Sequence, residues 1–361
     1  MTGNGNAHRV THEDVWFTRC PVPTAFGLSV ASGELSTALA DIGVYFRSLA
    51  TTTDPAVRGA HFAQTQPRGL RHGGNIPPLV AASRGVPVTV IGLSIAPSNS
   101  GLLALPSSGI SSVADLRGRT IGIPRRTGDP IDFWRASALQ AVDRALEAAE
   151  LDWTDIRIRE IPVERSFLDG ATSRNGAADN LWDATFMFGF QREETAALVT
   201  GDVDLIFSEG ANSVITQALT GSTVVYDAGA RGQDTVRSSN LRPLTLTVDT
   251  ELLETEPDVV DVIVRTVLDT ARRSAHDRDS TLRAIAAEVG LPEELVDSAF
   301  SPTLAGELDI DLSTDRVQAL EEQLSLLVRH GFIENPPDLA KHIDSAPLER
   351  AHAQLSAEKS I

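Results

Sequence analysis

Three side chains near the start of the sequence combine the residue types that bond cleavage requires. Cys20, the one cysteine in the chain, follows a short β-type run and precedes a proline turn, where the amides of a following helix would favour its thiolate form. His61 can accept or donate a proton near neutral pH. Arg71 presents a planar fork of N–H groups that matches an oxyanion. A nucleophile, a proton carrier and an anion clamp together predict an acyl-like or sulfur-centred displacement.

Each of the three also has an ordinary structural interpretation. A lone cysteine is most often a small buried hydrophobic residue, a histidine can be satisfied in the core, and an arginine can simply lie beside a tight turn. The pair Gly73-Gly74 after Arg71 lets backbone amides approach an anion closely. Open α/β sheets bind ligands where strands end and loops begin. Cys20 and residues 69–78, which are predicted as a loop, fall at such places.

The composition excludes several classes of protein. The chain has 361 residues with 49 acidic and 31 basic side chains, a net charge of −18, so it lacks the basic surface that a nucleic-acid binder needs. One cysteine cannot form an internal disulfide or a multi-cysteine metal site. The sequence carries no P-loop, dinucleotide-binding, zinc-peptidase or serine-hydrolase signature. An anionic substrate would need a local positive pocket in so acidic a protein.

The sequence contains neither a secretory signal nor an apolar run of about 18 residues. We therefore expect a cytoplasmic protein with no membrane association, and the cytoplasm is also where a lone thiol stays reduced. No apolar stripe remains unassigned to the core, which predicts a monomer.

The order of the predicted elements is that of an α/β protein with parallel sheets. A strand at residues 15–18, a helix from Thr24 to about residue 39 and a strand at 42–49 form a βαβ unit. Further elements are predicted as strands at residues 86–94, after Gly118, and at 156–161, 203–207, 224–227 and 244–248, with a helix at 131–151 and helices from 251 onward. This order indicates two lobes, a discontinuous first lobe of residues 1–97 and 238–361 and a second lobe of residues 98–237.

The motifs around the three candidate residues resemble a known family. Cys20-Pro21-Val22-Pro23, then His61-Phe62 with Gln66-Pro67, then Arg71-x-Gly73-Gly74-x-Ile76-Pro77-Pro78-Leu79 are similar to the 2'-hydroxybiphenyl-2-sulfinate desulfinases of bacterial dibenzothiophene desulfurization. Residues 110–123 and 198–207 are similar to segments of type II periplasmic-binding-protein folds, especially sulfonate and taurine receptors. The motif resemblance covers residues 16–80, and the fold resemblance covers most of the chain.

The resemblance implies a fold, a reaction and a set of site residues. The fold would have two lobes, each a mixed or parallel sheet flanked by helices, with the active site in the cleft between them. Cleavage of a carbon–sulfur bond in a small-molecule sulfinate would release sulfite without a metal or an organic cofactor. Carried over by position, Cys20, His61 and Arg71 would be catalytic. The residues that would bind substrate are Phe62, His72, Gly73, Gly74, Trp134 and Phe188.

Two points of chemistry and two other functions stay open at the level of the sequence. Cys20 could attack sulfur or could protonate the ring carbon. Gln64 and His72 stand where the family has aromatic residues, so the substrate could be another aryl or alkyl sulfinate. One alternative function is a solute-binding protein for sulfonate-type anions. The other is a cofactor-biosynthesis enzyme similar to the thiamine-pyrimidine synthases, which a single cysteine disfavours because first-row metal sites need several ligands.

Overall fold

The computed structural model describes residues 14–52, 54–166, 189–228 and 238–358. Within them the strands form two five-stranded sheets. The strands are β1 (Val15–Arg19), β2 (Phe46–Ser48), β3 (Gly69–Gly73), β4 (Val88–Ser94), β5 (Ser100–Ala104), β6 (Thr120–Arg126), β7 (Arg157–Val163), β8 (Leu205–Glu209), β9 (Thr223–Asp227) and β10 (Leu244–Asp249). The mixed α/β class with two sheets agrees with the sequence prediction.

The first sheet has the strand order β2-β1-β3-β10-β4. Strand β1 pairs in parallel with β2 and β3, as expected for a βαβ unit, and Thr18 lies opposite Arg71 in the second pairing. Strand β10 returns from far along the chain and pairs antiparallel with β3 and β4. The carboxyl ends of the parallel strands β1 and β3 therefore meet at one edge of the sheet, where Cys20 follows β1.

The second sheet has the order β7-β6-β8-β5-β9. Strand β6 is parallel to β7 and β8, whereas β5 runs antiparallel to β8 and β9. In this sheet Glu209, the last residue of β8, pairs with Ser100, the first residue of β5. Ser100 begins β5 only a few residues after the end of β4, so Glu209 lies close to the point where the chain passes from one sheet to the other.

Helices cover both sheets. Those in the described residues are α1 (Ala25–Ala31), α2 (Glu34–Asp41), α3 (Pro55–Ala63), α4 (Ile76–Ser83), α5 (Phe133–Ala149), α6 (Arg192–Val199), α7 (Gly210–Thr220), α8 (Thr250–Thr255), α9 (Pro257–His276), α10 (Arg278–Val289), α11 (Glu293–Ala299), α12 (Thr314–Arg329) and α13 (Ala346–Glu358). The long helix α9 packs its buried apolar face against α1, α2 and α13. Helix α5 covers β5, β6 and β8.

The structure corrects two expectations about the site region. Residues 69–78 are not a loop, because 69–73 form β3, a central strand that β1 and β10 flank. The helix expected from Thr24 to about residue 39 is two helices, because Gly33 adopts a left-handed φ of 79° between them. Thr24 does cap the first one, since its side chain accepts from the amide of Gly27.

The limits of the two lobes remain a prediction. Along the chain, β1–β4 of the first sheet come first, then the whole second sheet, β5–β9, and then β10 of the first sheet. Among the described residues, no helix combines the length and the apolar character that crossing a membrane would require.

Candidate active site

One cavity contacts elements from both sheets. Its apolar lining includes Pro77, Phe133, Trp134, Phe190, Leu241 and Phe300. The polar groups that line it include Cys20, His61, Arg71, Glu209, Asn212 and Asn240. A concave, mostly apolar space with a few convergent polar groups is the usual form of a small-molecule site. All three residues predicted to be catalytic therefore face one space.

Cys20 lies at the carboxyl end of β1 and is partly exposed. Its amide donates to the carbonyl oxygen of His72 at 3.1 Å, which extends the pairing of β1 with β3 by one step. The amide of Val22 donates to the carbonyl oxygen of Cys20 at 2.8 Å, so the chain turns directly after it. Helix α1 begins only at Ala25, and the groups that contact the thiol are therefore side chains rather than helix-terminal amides.

Arg71 brings a guanidinium group against this thiol. Its Nη2 donates to the Sγ of Cys20 at 3.3 Å, and its Nη1 donates to the carbonyl oxygen of Gly74 at 2.8 Å. The side chain is buried, and its Nε has no hydrogen-bond partner within the described residues. Burial lowers the pKa of Arg71, and a negative charge on Cys20 raises it. The guanidinium is thus oriented by two contacts and keeps N–H capacity for an anion.

His61 lies in the last turn of α3 and also approaches the thiol. Its Nε2 is 4.0 Å from the Sγ of Cys20, and its Nδ1 shares a hydrogen bond of 2.8 Å with the hydroxyl of Thr18. The ring is buried. Burial, and then the positive charge of Arg71, hold the pKa of His61 well below its usual value. The imidazole is therefore neutral at neutral pH and can accept a proton.

The two glycines fill places where a side chain does not fit. A Cβ on Gly73 would lie 2.4 Å from the Sγ of Cys20, and one on Gly74 would lie 2.4 Å from the Oδ1 of Asn240. These glycines permit close packing of β3 against Cys20 and against the segment around Asn240. Neither is among the residues that line the cavity, and their predicted contact with the anion stays a prediction.

Replacing Gly73 by alanine is expected to lower the rate of the reaction by about 10²-fold, because displacement of a reacting group by about 1 Å can cost that much. The methyl group would force the Cys20 thiol or strand β3 to move. Steady-state kinetics would measure the loss. Gly306→Ala is the matched control, since nothing lies within 4 Å of a Cβ there. Full activity in Gly73→Ala would show that the position of Cys20 does not limit the reaction.

His72 does not reach the cavity. Successive residues of a strand point to opposite faces of the sheet, and His72 lies on the face opposite Arg71. Its Nε2 shares a hydrogen bond of 3.0 Å with the hydroxyl of Ser94, and its ring meets Phe26 edge-on. Burial, followed by the charge of Arg71, lowers the pKa of His72 to about 3. The geometry therefore gives no support to the expected contact of His72 with substrate.

Aromatic rings form one wall of the cavity. Phe62 and Trp134, both predicted to bind substrate, line it, and their contact with substrate stays a prediction. Phe62 stacks on Phe133 with ring centroids 6.0 Å apart, and Trp134 meets Phe190 edge-on at 4.8 Å. Phe188 lies outside the described residues. No motif points to Phe190, two residues further on, which lines the cavity and packs its ring against Phe133 and Trp134 of α5.

Glu209 is a site residue that the sequence reasoning missed. It ends β8, lines the cavity and is 4% exposed. Burial raises its pKa to about 7, although hydrogen bonds with Ser100 and Ser239 and the charge of Arg242 favour the ionised form. The sequence does carry a signal for it, because Glu209 closely follows the strand predicted at residues 203–207, and ligands bind just beyond the carboxyl ends of such strands.

The described residues hold no group of three or more His, Cys, Asp or Glu side chains that could bind a metal ion. The cavity instead offers a thiol, a neutral imidazole and a guanidinium beside aromatic rings. This arrangement suits an anionic aromatic ligand whose reacting atom lies near the Sγ of Cys20.

Comparison with known proteins agrees with this geometry. A 2'-hydroxybiphenyl-2-sulfinate desulfinase of Rhodococcus erythropolis is 25% identical over 339 residues, which are 89% of this chain and 88% of the relative. The chain resembles the 2'-hydroxybiphenyl-2-sulfinate desulfinases along most of its length. This confirms the resemblance inferred from the motifs. A desulfinase of the same name from Rhodococcus qingshengii matches equally well. The family described as NMT1/THI5 like matches residues 69–158, a part that contains Arg71 but neither Cys20 nor His61.

Solved structures share the fold. The desulfurization enzyme DszB has a TM-score of 0.76 at 23% identity, covering 95% of this chain and 99% of the other. A cysteine-to-serine mutant of DszB in complex with biphenyl-2-sulfinic acid has a TM-score of 0.75. The periplasmic aliphatic sulphonate binding protein SsuA of Escherichia coli has a TM-score of 0.63 at 16% identity, covering 92% of this chain and 97% of the other. The predicted periplasmic-binding-protein-like fold is therefore confirmed.

Proposed function

We propose that this chain cleaves the carbon–sulfur bond of an aryl sulfinate and releases sulfite. The observation that carries the proposal is the convergence of three groups in one aromatic cavity, in a chain similar to sulfinate desulfinases. The Sγ of Cys20 lies 3.3 Å from the Nη2 of Arg71 and 4.0 Å from the Nε2 of His61. Cys20 reacts, His61 moves a proton, and Arg71 holds the anion.

The charge of the protein explains why Arg71 is needed. A net charge of −18 repels an anion at long range, and a buried guanidinium supplies the local attraction that overcomes this repulsion. The hydrocarbon part of the substrate packs against aromatic rings of the cavity, and burial of its surface away from water favours binding. These rings are Phe62, Phe133, Trp134 and Phe190. The polar end of the substrate then lies beside Cys20 and the aromatic end beside α5.

The overall reaction converts an aryl sulfinate and water into the arene and hydrogen sulfite. In one route the Cys20 thiol donates its proton to the ring carbon, the electrons of the carbon–sulfur bond form the new C–H bond, and sulfur dioxide leaves. Water converts the dioxide into hydrogen sulfite, and the proton released restores the thiol.

In the second route the Cys20 thiolate attacks sulfur. The carbon–sulfur electrons remain on carbon, which takes a proton delivered through His61, and a Cys20–SO₂ adduct forms. Water then cleaves the adduct into hydrogen sulfite and the free thiol. Both routes need Arg71 at the sulfinate oxygens and a proton carrier beside Cys20.

Incubation of the purified chain with biphenyl-2-sulfinate tests the function. We expect sulfite and biphenyl to appear in equal amounts, measured by a colorimetric sulfite reagent and by chromatography. Heat-denatured protein is the control. Binding in calorimetry without any sulfite would instead support a sulfonate-binding protein, the function of SsuA, with which the chain shares its fold.

We also propose that the enzyme acts in the cytoplasm as a monomer on a small-molecule sulfinate. A reactive thiol stays reduced in the cytoplasm. Free sulfinate, rather than a protein or nucleic acid, is the partner that fits a cavity of this kind.

A further inference from the structure

The cavity contains an amide side chain that the proposed chemistry does not use. Asn240 lines the cavity and is 6% exposed. It lies a few residues before β10, and its carbonyl oxygen accepts from the backbone amide of Asn75 at 3.0 Å. The Nδ2 of Asn75 donates to the carbonyl oxygens of Ser239 and Pro243 at 2.6 and 2.9 Å. Three hydrogen bonds from one residue therefore fix the backbone around Asn240.

One end of the Asn240 amide is engaged and the other is available. Its Oδ1 accepts from the amide of Ile76 at 3.2 Å, and Ile76 begins α4, where amides have no partner inside the helix. A backbone N–H needs an oxygen, so this contact identifies which end of the side chain is the nitrogen. The Nδ2 donates to no group within the described residues and is not among their fully buried unpaired atoms. Its N–H groups are therefore available to the cavity.

The Asn240 amide lies close to Arg71. A Cβ on Gly74 would lie 2.4 Å from the Oδ1 of Asn240 and 2.7 Å from its Nδ2, so the amide packs directly on this glycine. The carbonyl oxygen of Gly74 accepts from the Nη1 of Arg71 at 2.8 Å. Asn240 and Arg71 thus contact the same glycine, and both line the cavity.

An anion in this cavity needs donors in addition to Arg71. A sulfinate group has two oxygens that only accept, and a charged group leaves water at a high cost unless its oxygens are hydrogen-bonded. Arg71 already donates to the carbonyl oxygen of Gly74 and to the Sγ of Cys20. The side-chain amides that line the cavity are Asn212 and Asn240. Of the two, Asn240 packs on the glycine that Arg71 also contacts.

We propose that Asn240 is a second anion-binding residue, whose Nδ2 donates to one sulfinate oxygen while Arg71 donates to the other. Two points of attachment fix the direction of the carbon–sulfur bond, because the oxygens and the aryl group are the three substituents of sulfur. The inference rests on the proposed function for the identity of the anion. It adds to the site a residue that no motif in the sequence indicates.

The test compares two ligands in Cys20→Ser, which lacks the thiol that both routes need, and in the same protein with Asn240→Ala. We expect the Kd of biphenyl-2-sulfinate to rise about tenfold, the typical effect of losing a hydrogen bond to a charged group. The Kd of biphenyl, which has the same rings and no oxyanion, should stay within about twofold. Quenching of tryptophan fluorescence measures both, because Trp134 lines the cavity.

Two outcomes of this comparison would overturn the proposal. An equal rise in both Kd values would show that the substitution disturbs the cavity through the lost contact with Ile76. An unchanged Kd for the sulfinate would show that Asn240 does not bind the anion.

Asn240→Asp keeps the proposal testable if the alanine variant does not fold. Its carboxylate retains an oxygen for the Ile76 amide, but it replaces the donating nitrogen by an oxygen that repels the sulfinate. We expect the Kd of the sulfinate to rise by at least about 10²-fold. Asn212→Asp is the control, since it places the same charge in the same cavity from α7, and it should raise the Kd by less than about tenfold. Equal rises in the two variants would refute a contact between Asn240 and the anion.

These measurements separate the inference from the proposed function. Binding is measured without turnover, so the Kd values are obtained whether or not the native chain releases sulfite. Failure of the proposed function appears as absent sulfite in the assay of the native chain. Failure of this inference appears as a sulfinate Kd that Asn240→Ala leaves unchanged or raises no more than that of biphenyl.

Discussion

Cys20→Ser is expected to abolish sulfite release, with a fall in kcat of about 10³-fold or more. A serine hydroxyl gives up its proton far less readily than a thiol and is a weaker nucleophile at neutral pH. The substitution therefore blocks both routes, since one needs the thiol proton at carbon and the other needs the thiolate at sulfur. Sulfite assay under single-turnover and steady-state conditions measures the effect.

The same variant should keep its fold and its affinity for the sulfinate. The serine hydroxyl can still accept from the Nη2 of Arg71, which donates to the Sγ in the native site, and the hydrogen bond of His61 with Thr18 is unaffected. We expect an unchanged melting temperature and a Kd within about threefold of the native value. Near-native sulfite release by folded Cys20→Ser would remove Cys20 from the mechanism.

The sequence allowed the three candidate reacting groups to be chosen, but it did not reveal why glycines stand beside them. The glycines and prolines of residues 69–78 are typical of a loop, and the structure has a central strand there. Gly73 is needed because Cys20, more than fifty positions earlier, packs against it. Such a requirement depends on a contact between distant parts of the chain, and local composition cannot predict it.

His72 and Glu209 show the same contrast between what local sequence predicts and what contacts between distant parts of the chain decide. Once residues 69–73 are seen to be a strand, the alternation of side chains places His72 on the face opposite Arg71, and its exclusion from the cavity follows. Glu209 could be placed at a strand end from the sequence. Its burial and raised pKa could not be foreseen, because they arise from packing and from partners such as Ser100 and Arg242, which lie far away in the chain.

Arg71→Gln is expected to reduce kcat/KM by about 10²–10³-fold, the usual cost of removing one donor that stabilises developing negative charge. The guanidinium already donates to the Sγ of Cys20 and to the carbonyl oxygen of Gly74, while its Nε has no partner among the described residues. Glutamine removes the charge and most of these N–H groups. The Kd for sulfinate should rise as well, because the rest of this acidic protein repels the anion.

Lysine should not restore the site. Its ammonium group is a single point of charge that cannot hold the thiol, the Gly74 carbonyl oxygen and the sulfinate in one plane as the guanidinium fork does. We therefore expect Arg71→Lys to remain at least about tenfold below the wild type in kcat/KM. Partial recovery of the Kd without recovery of kcat would show that charge alone attracts the anion and that geometry drives its cleavage.

Arg19→Lys is the matched control for Arg71. Arg19 is equally buried on the neighbouring strand, but it makes two hydrogen bonds to Glu288, at 2.8 and 2.6 Å, and is not among the residues that line the cavity. Its substitution should lower the melting temperature, because a lysine ammonium group cannot make the paired hydrogen bonds of the guanidinium in this buried ion pair. The kcat/KM of the folded protein should stay within about twofold of the wild-type value. If Arg71→Gln and Arg19→Lys lowered kcat/KM equally, the effect would come from the packing of the sheet, and Arg71 would not be the anion-binding group.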